Sequence, residues 1–430
     1  MKTHSMMYRP LPRSLEPLDD ESLLGYLLRL SHRAGATPAE IAARTNLLAE
    51  TTNGNLSLFS HGFIHDLSPR RIRVFAHATS LQEAEVRSLL LSEYAPRYGP
   101  LDVSLNRTSS SPAIASNNPW VYFGSTRYCP QCLTGDGSPI QLLHGGSWRR
   151  LWRLPVVFAC RTHRCLLLYR CSGCAGLAQA SEKFRGLLVR PRDDDLHPLQ
   201  CRSNVASADF KSRACGNRFD ISPPSSTVDE LDERTLEALL NLQQRLVALL
   251  TAKGRDTCAS VGWRVPTGHY FLDMRALVPL VFLTWPESRH LAPTPLLANV
   301  LDAEAEWRHK AYREARAASA KKHPSRFFSH PPEDALVLGA VLGIAERLLQ
   351  AKDEESAFDL LRPLIYRSLE LNPILSYHLR SIRPASVPLR AVLTVDRRKR
   401  PRTYVPESRA EVIQNHPGYI RSSSPGKCEL

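Results

Sequence analysis

The feature that most constrains this chain is the stretch from Arg127 to Cys174. It sets Tyr128-Cys129-Pro130-Gln131-Cys132 ahead of Cys160-Arg161-Thr162-His163 and Cys171-Ser172-Gly173-Cys174. A Cys-x-x-Cys pair holds two thiols on one tight turn, aimed at a common point, and a second such turn completes the four-coordinate tetrahedral shell that Zn²⁺ prefers. Three pairs in succession therefore predict bound zinc. Cys129, Cys132, Cys160 and His163 close a first Cys₃His shell. Cys171 and Cys174 need two further ligands, and the downstream candidates are Cys201 and Cys215, with His197 and Cys165 in reserve. The thirteen residues between Cys201 and Cys215 are long for a compact zinc knuckle. On the plain reading Cys165, Cys258 and Cys428 are thiols unconnected with metal. The expectation is thus two Zn²⁺ per chain, both structural, since a catalytic zinc keeps one position open for water.

Between Cys132 and Cys160, the segment Trp148-Arg149-Arg150-Leu151-Trp152-Arg153-Leu154-Pro155-Val156-Val157-Phe158 is rich in rings and guanidinium groups, and it reads as strand-like. Small zinc modules have too little area for an ordinary core, so Trp148 and Trp152 are expected to pack over the metal region. Arg149, Arg150 and Arg153 are expected on the surface, within reach of phosphate.

Net charge of the 430-residue chain is +14, and its distribution is more informative than its size. Residues 127–219 carry 15 Lys/Arg against 6 Asp/Glu, and residues 379–430 carry 11 against 4, so the remainder is slightly acidic. Positive charge confined to the cysteine region and the C-terminal tail fits two segments facing a polyanion. The apolar stretches Ala276–Trp285 and Ala335–Ala345 are too short to span a bilayer, and no apolar run follows Met1, so a cytoplasmic location without a membrane is expected. In a reducing compartment, ten cysteines read as ligands or buried thiols rather than disulfides.

Taken in order, Asp20 reads as the N-cap of a helix through Leu23, Leu24, Leu27, Leu28 and Leu30, ended by Gly35. Thr37-Pro38-Ala39-Glu40 has the signature of a capping box with proline at the first helical position. Two short helices across a glycine turn have the outline of a helix-turn-helix, which is also the outline of many small helical domains. Ser80 and Glu83 suggest another capping box before Val86 and Leu89–Leu91. Asn106–Asn118 and Ile221–Thr227 have linker composition. Beyond them, Asp229–Thr251, Ala303–Lys322, Glu333–Gln350 and Glu355–Leu369 read as helices, the last two as a pair. Arg397-Arg398-Lys399-Arg400 is a solvated basic run in a tail expected to be disordered. The fold class predicted is mainly α with small zinc-ribbon or zinc-finger β modules. Its expected domains are 1–105 (helical, helix-turn-helix-like), 119–220 (tandem zinc fingers), 228–378 (helical) and 379–430 (basic tail).

Together these motifs resemble the TniQ/TnsD family of transposon target-selection proteins. The likeness is carried by Leu11-Pro12, Asp20-Glu21-Ser22-Leu23-Leu24 and Arg29-Leu30. It continues through Arg127-Tyr128-Cys129-Pro130-Gln131-Cys132-Leu133, Trp148-Arg149, Trp152, Cys160, His163, Cys171 and Cys174. It spans roughly residues 8–220. Two departures stand out: Gly25 where the family often has serine, and Arg164-Cys165 where a glycine is usual. The resemblance implies a non-catalytic adaptor that recognises target DNA or a DNA-bound effector and recruits an AAA+ ATPase, which in turn positions the transposase. The partners implied are double-stranded DNA, that ATPase and, as a further candidate, a guide-RNA effector complex; a homodimer is the candidate oligomer.

The residues themselves agree that no enzyme is encoded. There is no Gly-x₄-Gly-Lys-Ser/Thr loop, no His-Glu-x-x-His, and no His-x-Glu with a following Pro-Cys-x-x-Cys of the zinc deaminases. DNA contacts are expected from Arg149, Arg150, Arg153, Arg397, Arg398, Lys399 and Arg400. The competing reading is a zinc-finger transcriptional regulator or protein-protein adaptor outside transposition.

Overall fold

The computed structural model describes residues 9–48, 62–102, 104–105, 118–179, 196–205, 213–221, 231–251, 256–318, 325–371, 384–394 and 420–421. The fold is mainly helical, with small sheets of two or three strands. Two compact units are formed: Met1–Glu93 with Ser110–Glu230, and Tyr94–Ser109 with Leu231–Leu430. No helix among the described residues is long and apolar enough to cross a membrane.

In the first unit, α1 (Leu23–Ala34) begins at Ser22, whose Oγ accepts from the Gly25 N–H, and ends at Gly35 with φ 63°. Glycine suits that left-handed position because it carries no Cβ. Asp20, expected as the cap, instead lies outside the helix with φ 51° and accepts from Arg150 Nε and the Leu151 N–H. The helix is buried from Leu23 to Ser31, so its leucines face the core on every side. Among them lies an ion pair, Arg29 Nη1 to Glu21 Oε2 at 2.7 Å, with both side chains fully enclosed. Burial pushes the Glu21 carboxyl up, and Arg29 pulls against it. Removing either partner alone would leave the other charge stranded, typically costing about 3–5 kcal/mol.

The second helix, α2 (Pro38–Arg44), has the capping box its sequence announces: Glu40 N–H donates to Thr37 Oγ1 at 3.0 Å and Thr37 N–H donates to Glu40 Oε2 at 2.9 Å. A short turn, α3 (Gly62–His65), precedes α4 (Pro69–Thr79), which Ser68 caps. Ser80 closes α4 in the left-handed region (φ 59°) rather than opening the next helix. It is Gln82 that precedes α5 (Glu83–Arg87), its N–H donating to Glu85 Oε2 at 2.7 Å, and two short helices follow in this unit, α6 (Pro130–Thr134) and α7 (Pro139–His144).

The N-terminal helices and the cysteine region share this unit's core. Ser22 N–H donates to Trp148 O at 2.8 Å, Arg150 N–H to Asp20 O at 2.8 Å, and Leu23 N–H to Leu89 O at 2.9 Å. Gly25 sits directly under Trp148: a Cβ there would lie 2.7 Å from Trp148 Cβ, so a larger residue would force something to shift. Trp148 and Trp152 are buried as expected, in an edge-to-face cluster with Tyr128 and Phe219. The backbone around them is not a strand, however. Arg149 makes an isolated antiparallel bridge to Glu21, Arg150–Arg153 forms a single 3₁₀ turn, and a two-residue strand follows at Ala159–Cys160.

The second unit is built from α8 (Glu233–Thr251), α9 (Thr267–Leu283), α10 (Pro295–Ala318), α11 (Ser325–Phe328), α12 (Ala335–Leu349), α13 (Glu354–Glu370) and α14 (Val387–Thr394). Helix α9 is buried almost all round and packs on α12, and α12 and α13 pack on each other as the predicted pair. Hairpin strands Thr257–Ser260 and Trp263–Pro266 are joined by Val261 and Gly262, both with positive φ. Ile420–Arg421 adds a third strand to them. The tail expected to be disordered is therefore ordered in part. At Val387–Thr394 the reason is visible: buried Asp273 accepts from the Ala385 and Ser386 N–H groups at 2.6 and 3.1 Å, while Leu389 and Val392 are buried.

Candidate metal centres

The first cysteine pair is placed by a helix start. Cys129 is the N-cap residue and Pro130 the first helical residue of a one-turn helix, Pro130–Thr134, so Cys132 falls on the same turn. The second pair comes from a hairpin. Ala159–Cys160 pairs antiparallel with Cys165–Leu166, and His163 lies in the connecting loop. Tyr128, bridged to Leu168, ties the two pieces together.

The result is a closed four-donor cluster of Cys129, Cys132, Cys160 and His163, with all ligand atoms within 4.8 Å of one another. Cys132 Sγ lies 3.6 Å from Cys160 Sγ, and His163 Nδ1 lies 3.4, 3.2 and 3.5 Å from the sulfurs of Cys129, Cys132 and Cys160. A tetrahedral ion with metal–sulfur bonds of about 2.3 Å and metal–nitrogen bonds of about 2.0 Å sets ligand edges of about 3.8 Å for S–S and about 3.5 Å for S–N. The cluster fits those edges closely.

Its electrostatics carry the same message. The crowded sulfurs share protons: contact with Cys132 lowers Cys129 to about 7, and contact with Cys129 lowers Cys160 far below the usual thiol range. Contact with Cys129 raises Cys132 for the complementary reason. Burial lowers His163, but the Cys160 and Cys129 sulfurs outweigh it and the net shift is upward. A divalent metal would take these sulfurs as thiolates.

The second cluster joins Cys171, Cys174, Cys201 and Cys215. Cys171 Sγ lies 3.8 Å from Cys215 Sγ, and Cys174 Sγ 3.8 Å from Cys201 Sγ. The long interval between Cys201 and Cys215 folds back as a hairpin, Asn204–Val205 against Arg213–Ala214. Cys215 N–H donates to Ser203 O at 2.8 Å and Gly216 N–H to Cys201 O at 2.9 Å, so the two cysteines return to one end of the ladder. Burial raises Cys201 and Cys215, whereas for Cys171 burial is outweighed by the backbone N–H groups of Cys174 and Gly173. The two reserve ligands lie elsewhere. His197 stacks edge-on against His32, whose Nδ1 is 2.8 Å from Nδ1 of buried His144, a three-histidine group that no sequence spacing announces. Cys165 lies at the first centre, 3.8 Å from Cys129 Sγ.

Two of the three arginines expected at the surface are not there. Arg153 is completely buried, with Nη1 donating to the carbonyls of Tyr122 and Ser125 at 3.0 and 2.9 Å and Nη2 to Gln179 Oε1 at 2.6 Å. Burial alone lowers its pKa to about 9. The side chain of Arg150 is 11% exposed, paired with Asp20 and donating to Leu90 O at 3.0 Å. Arg127 is buried likewise, donating to Pro155 O and Val157 O. A module with two-residue strands leaves many carbonyls outside any ladder, and a guanidinium with five donors satisfies several at once. Arg149 is half-buried, its guanidinium 5.9 Å from the Trp152 ring. Arg397, Arg398, Lys399 and Arg400 lie outside the described residues.

No curated protein matches this chain. The TniQ family model, however, matches residues 12–167, an interval that runs from the opening helices through the whole first centre and stops before the second. Over that interval, about a third of its length, the chain is similar to the TniQ family.

Proposed function

We propose that this protein is a non-catalytic adaptor of DNA transposition whose two cysteine clusters each hold a structural Zn²⁺. The observation that carries the reading is the coincidence of the TniQ match with a closed Cys₃His cluster whose edges fit a tetrahedral metal. The metal would supply rigidity and no chemistry: four protein donors leave no position for water or substrate. Cys129, Cys132, Cys160 and His163 would fasten the hairpin to the one-turn helix, and Cys171, Cys174, Cys201 and Cys215 would fasten the second hairpin to the Cys171 turn. Between them Tyr128, Trp148 and Phe219 make a rigid aromatic floor.

In this reading the adaptor works in the cytoplasm, contacts double-stranded DNA or a DNA-bound effector, and hands the site to an AAA+ ATPase. Arg149 and the basic run Arg397–Arg400 are assigned to phosphate contact, with the α1–α2 pair as a helix-turn-helix-like contributor. Arg153 is withdrawn from that role because it is completely buried, and Arg150 because its side chain is turned to Asp20 and Leu90 O.

The test is a fluorescence-anisotropy titration of zinc-loaded protein with a short duplex at several salt concentrations, joined to capture of an AAA+ ATPase of the transposition machinery. Expected are DNA binding that weakens steeply with salt, and retention of the ATPase. Zinc-loaded protein with no affinity for duplex at low salt and no ATPase capture would refute the adaptor reading. DNA binding without ATPase capture would favour a transcriptional regulator on the same scaffold.

A further inference from the structure

The first centre has one donor more than a tetrahedral metal can use. Cys165 stands directly opposite Cys160 in the two-residue antiparallel ladder. Residues so paired project from the same face of the sheet, with Cβ atoms about 4.5–5.5 Å apart. The register therefore sends the Cys165 thiol to the side on which Cys160 binds, and its sulfur reaches 3.8 Å from Cys129 Sγ, the edge length of a tetrahedral zinc–thiolate shell. His163 is in the loop between these two strand residues, followed by Arg164 in the left-handed region (φ 47°). A β-hairpin loop carries the imidazole, whereas the ladder carries the competing thiol. The imidazole is thus the donor that can leave by local loop motion while the thiol stays in place.

We propose that Cys165 is a standby ligand of the first centre, able to take the fourth position when His163 leaves it and so convert a Cys₃His site into a Cys₄ site without loss of the metal. The proposal rests on the metal reading given above. Its consequence is a centre whose loop, Arg161 to Arg164, can be released for another task, such as meeting a partner, while the hairpin stays anchored to the helix turn.

The experiment uses the full chain loaded with Co²⁺, with metal counted by native mass spectrometry and ligand type read from the d–d and thiolate charge-transfer bands. Wild type should hold two ions, one in a three-thiolate, one-imidazole site. His163→Ala should still hold two, with the charge-transfer intensity increased by one thiolate and the d–d bands moved to the four-thiolate pattern. The double variant His163→Ala/Cys165→Ser should hold one ion, at Cys171, Cys174, Cys201 and Cys215. A folded His163→Ala protein with one ion overturns the proposal. If His163→Ala does not fold, Zn²⁺ transfer to a chelator decides: Cys165→Ser alone should release the first ion several-fold faster than wild type, with the second centre as internal reference, and an unchanged rate overturns the proposal. Wild type holding no metal would overturn the metal reading itself, a different outcome from wild type holding two and His163→Ala one.

Discussion

Arg153→Ala separates the arginines that build this protein from those free to touch another molecule. In the structure Arg153 makes three well-formed hydrogen bonds, to Tyr122 O at 3.0 Å, Ser125 O at 2.9 Å and Gln179 Oε1 at 2.6 Å, and a longer one to Phe123 O at 3.4 Å. With a folded-state pKa of about 9 it remains charged at neutral pH. Hydrogen bonds from a charged donor contribute about 1.5–3 kcal/mol each, so three of them at the low end come to about 4–5 kcal/mol, before the void left by the side chain. That is a large part of the 5–15 kcal/mol that typically holds a domain together. Arg149→Ala should stay within about 1 kcal/mol of wild type, because a half-buried guanidinium at 5.9 Å from a ring gives little. Guanidinium denaturation followed by tryptophan fluorescence, with metal content measured alongside, gives both stabilities; duplex affinity at several salt concentrations gives the second readout. Arg153→Ala should unfold at markedly lower denaturant, while Arg149→Ala should keep its stability and lower the salt slope of DNA binding by about one. The reasoning fails if Arg153→Ala stays within about 1 kcal/mol of wild type, or if it loses DNA affinity at full stability.

Gly25→Ser should destabilise the first unit by about 1–3 kcal/mol, since the new Cβ lies 2.7 Å from Trp148 Cβ and something must shift; equal denaturation midpoints would refute the contact. Stability should also fall as pH drops from about 6.5 toward 4. Burial lowers His144 and His197 to about 4, and lowers His32 as well, with Arg29, Arg33, Arg202 and Arg218 acting in the same direction and Asp220 against it. The unfolded chain therefore binds more protons than the folded one in that window, and stability present above 6.5 is lost on the way down. Thermal unfolding midpoints between pH 7.5 and 5.5 should show this slope, and a His32→Leu/His144→Leu variant should flatten it.

Local signals in the sequence were strong wherever one residue type does one job. Thr37, Pro38 and Glu40 form the capping box their spacing announces, and Gly35 takes the left-handed φ that ends α1. The apolar rows of Ala335–Leu349 and Glu354–Glu370 become helices that pack together. Signals were weak where the local code is unusual. The Val261-Gly262 turn lacks the Asn or Asp that marks most hairpins of this kind. Helix α9, apolar on nearly every face, has little periodicity to read. At Ser80 the local sequence suggests a helix start where the structure has the end of α4, because serine serves either role.

By itself the sequence determined the chemistry of the two centres: Cys-x-x-Cys and Cys-x-x-His spacing aims side chains at a point through local backbone geometry alone, with no help from distant residues. Only the tertiary structure decided which remote donors complete them, since Cys201 and Cys215 meet through a hairpin and Cys165 reaches the first centre through a strand register. It also decided which arginines are available. Charge predicts a guanidinium's preference for water, but an irregular, carbonyl-rich interior offers Arg153 enough acceptors to replace that water, and no count of residues along a chain reveals where such an interior will form.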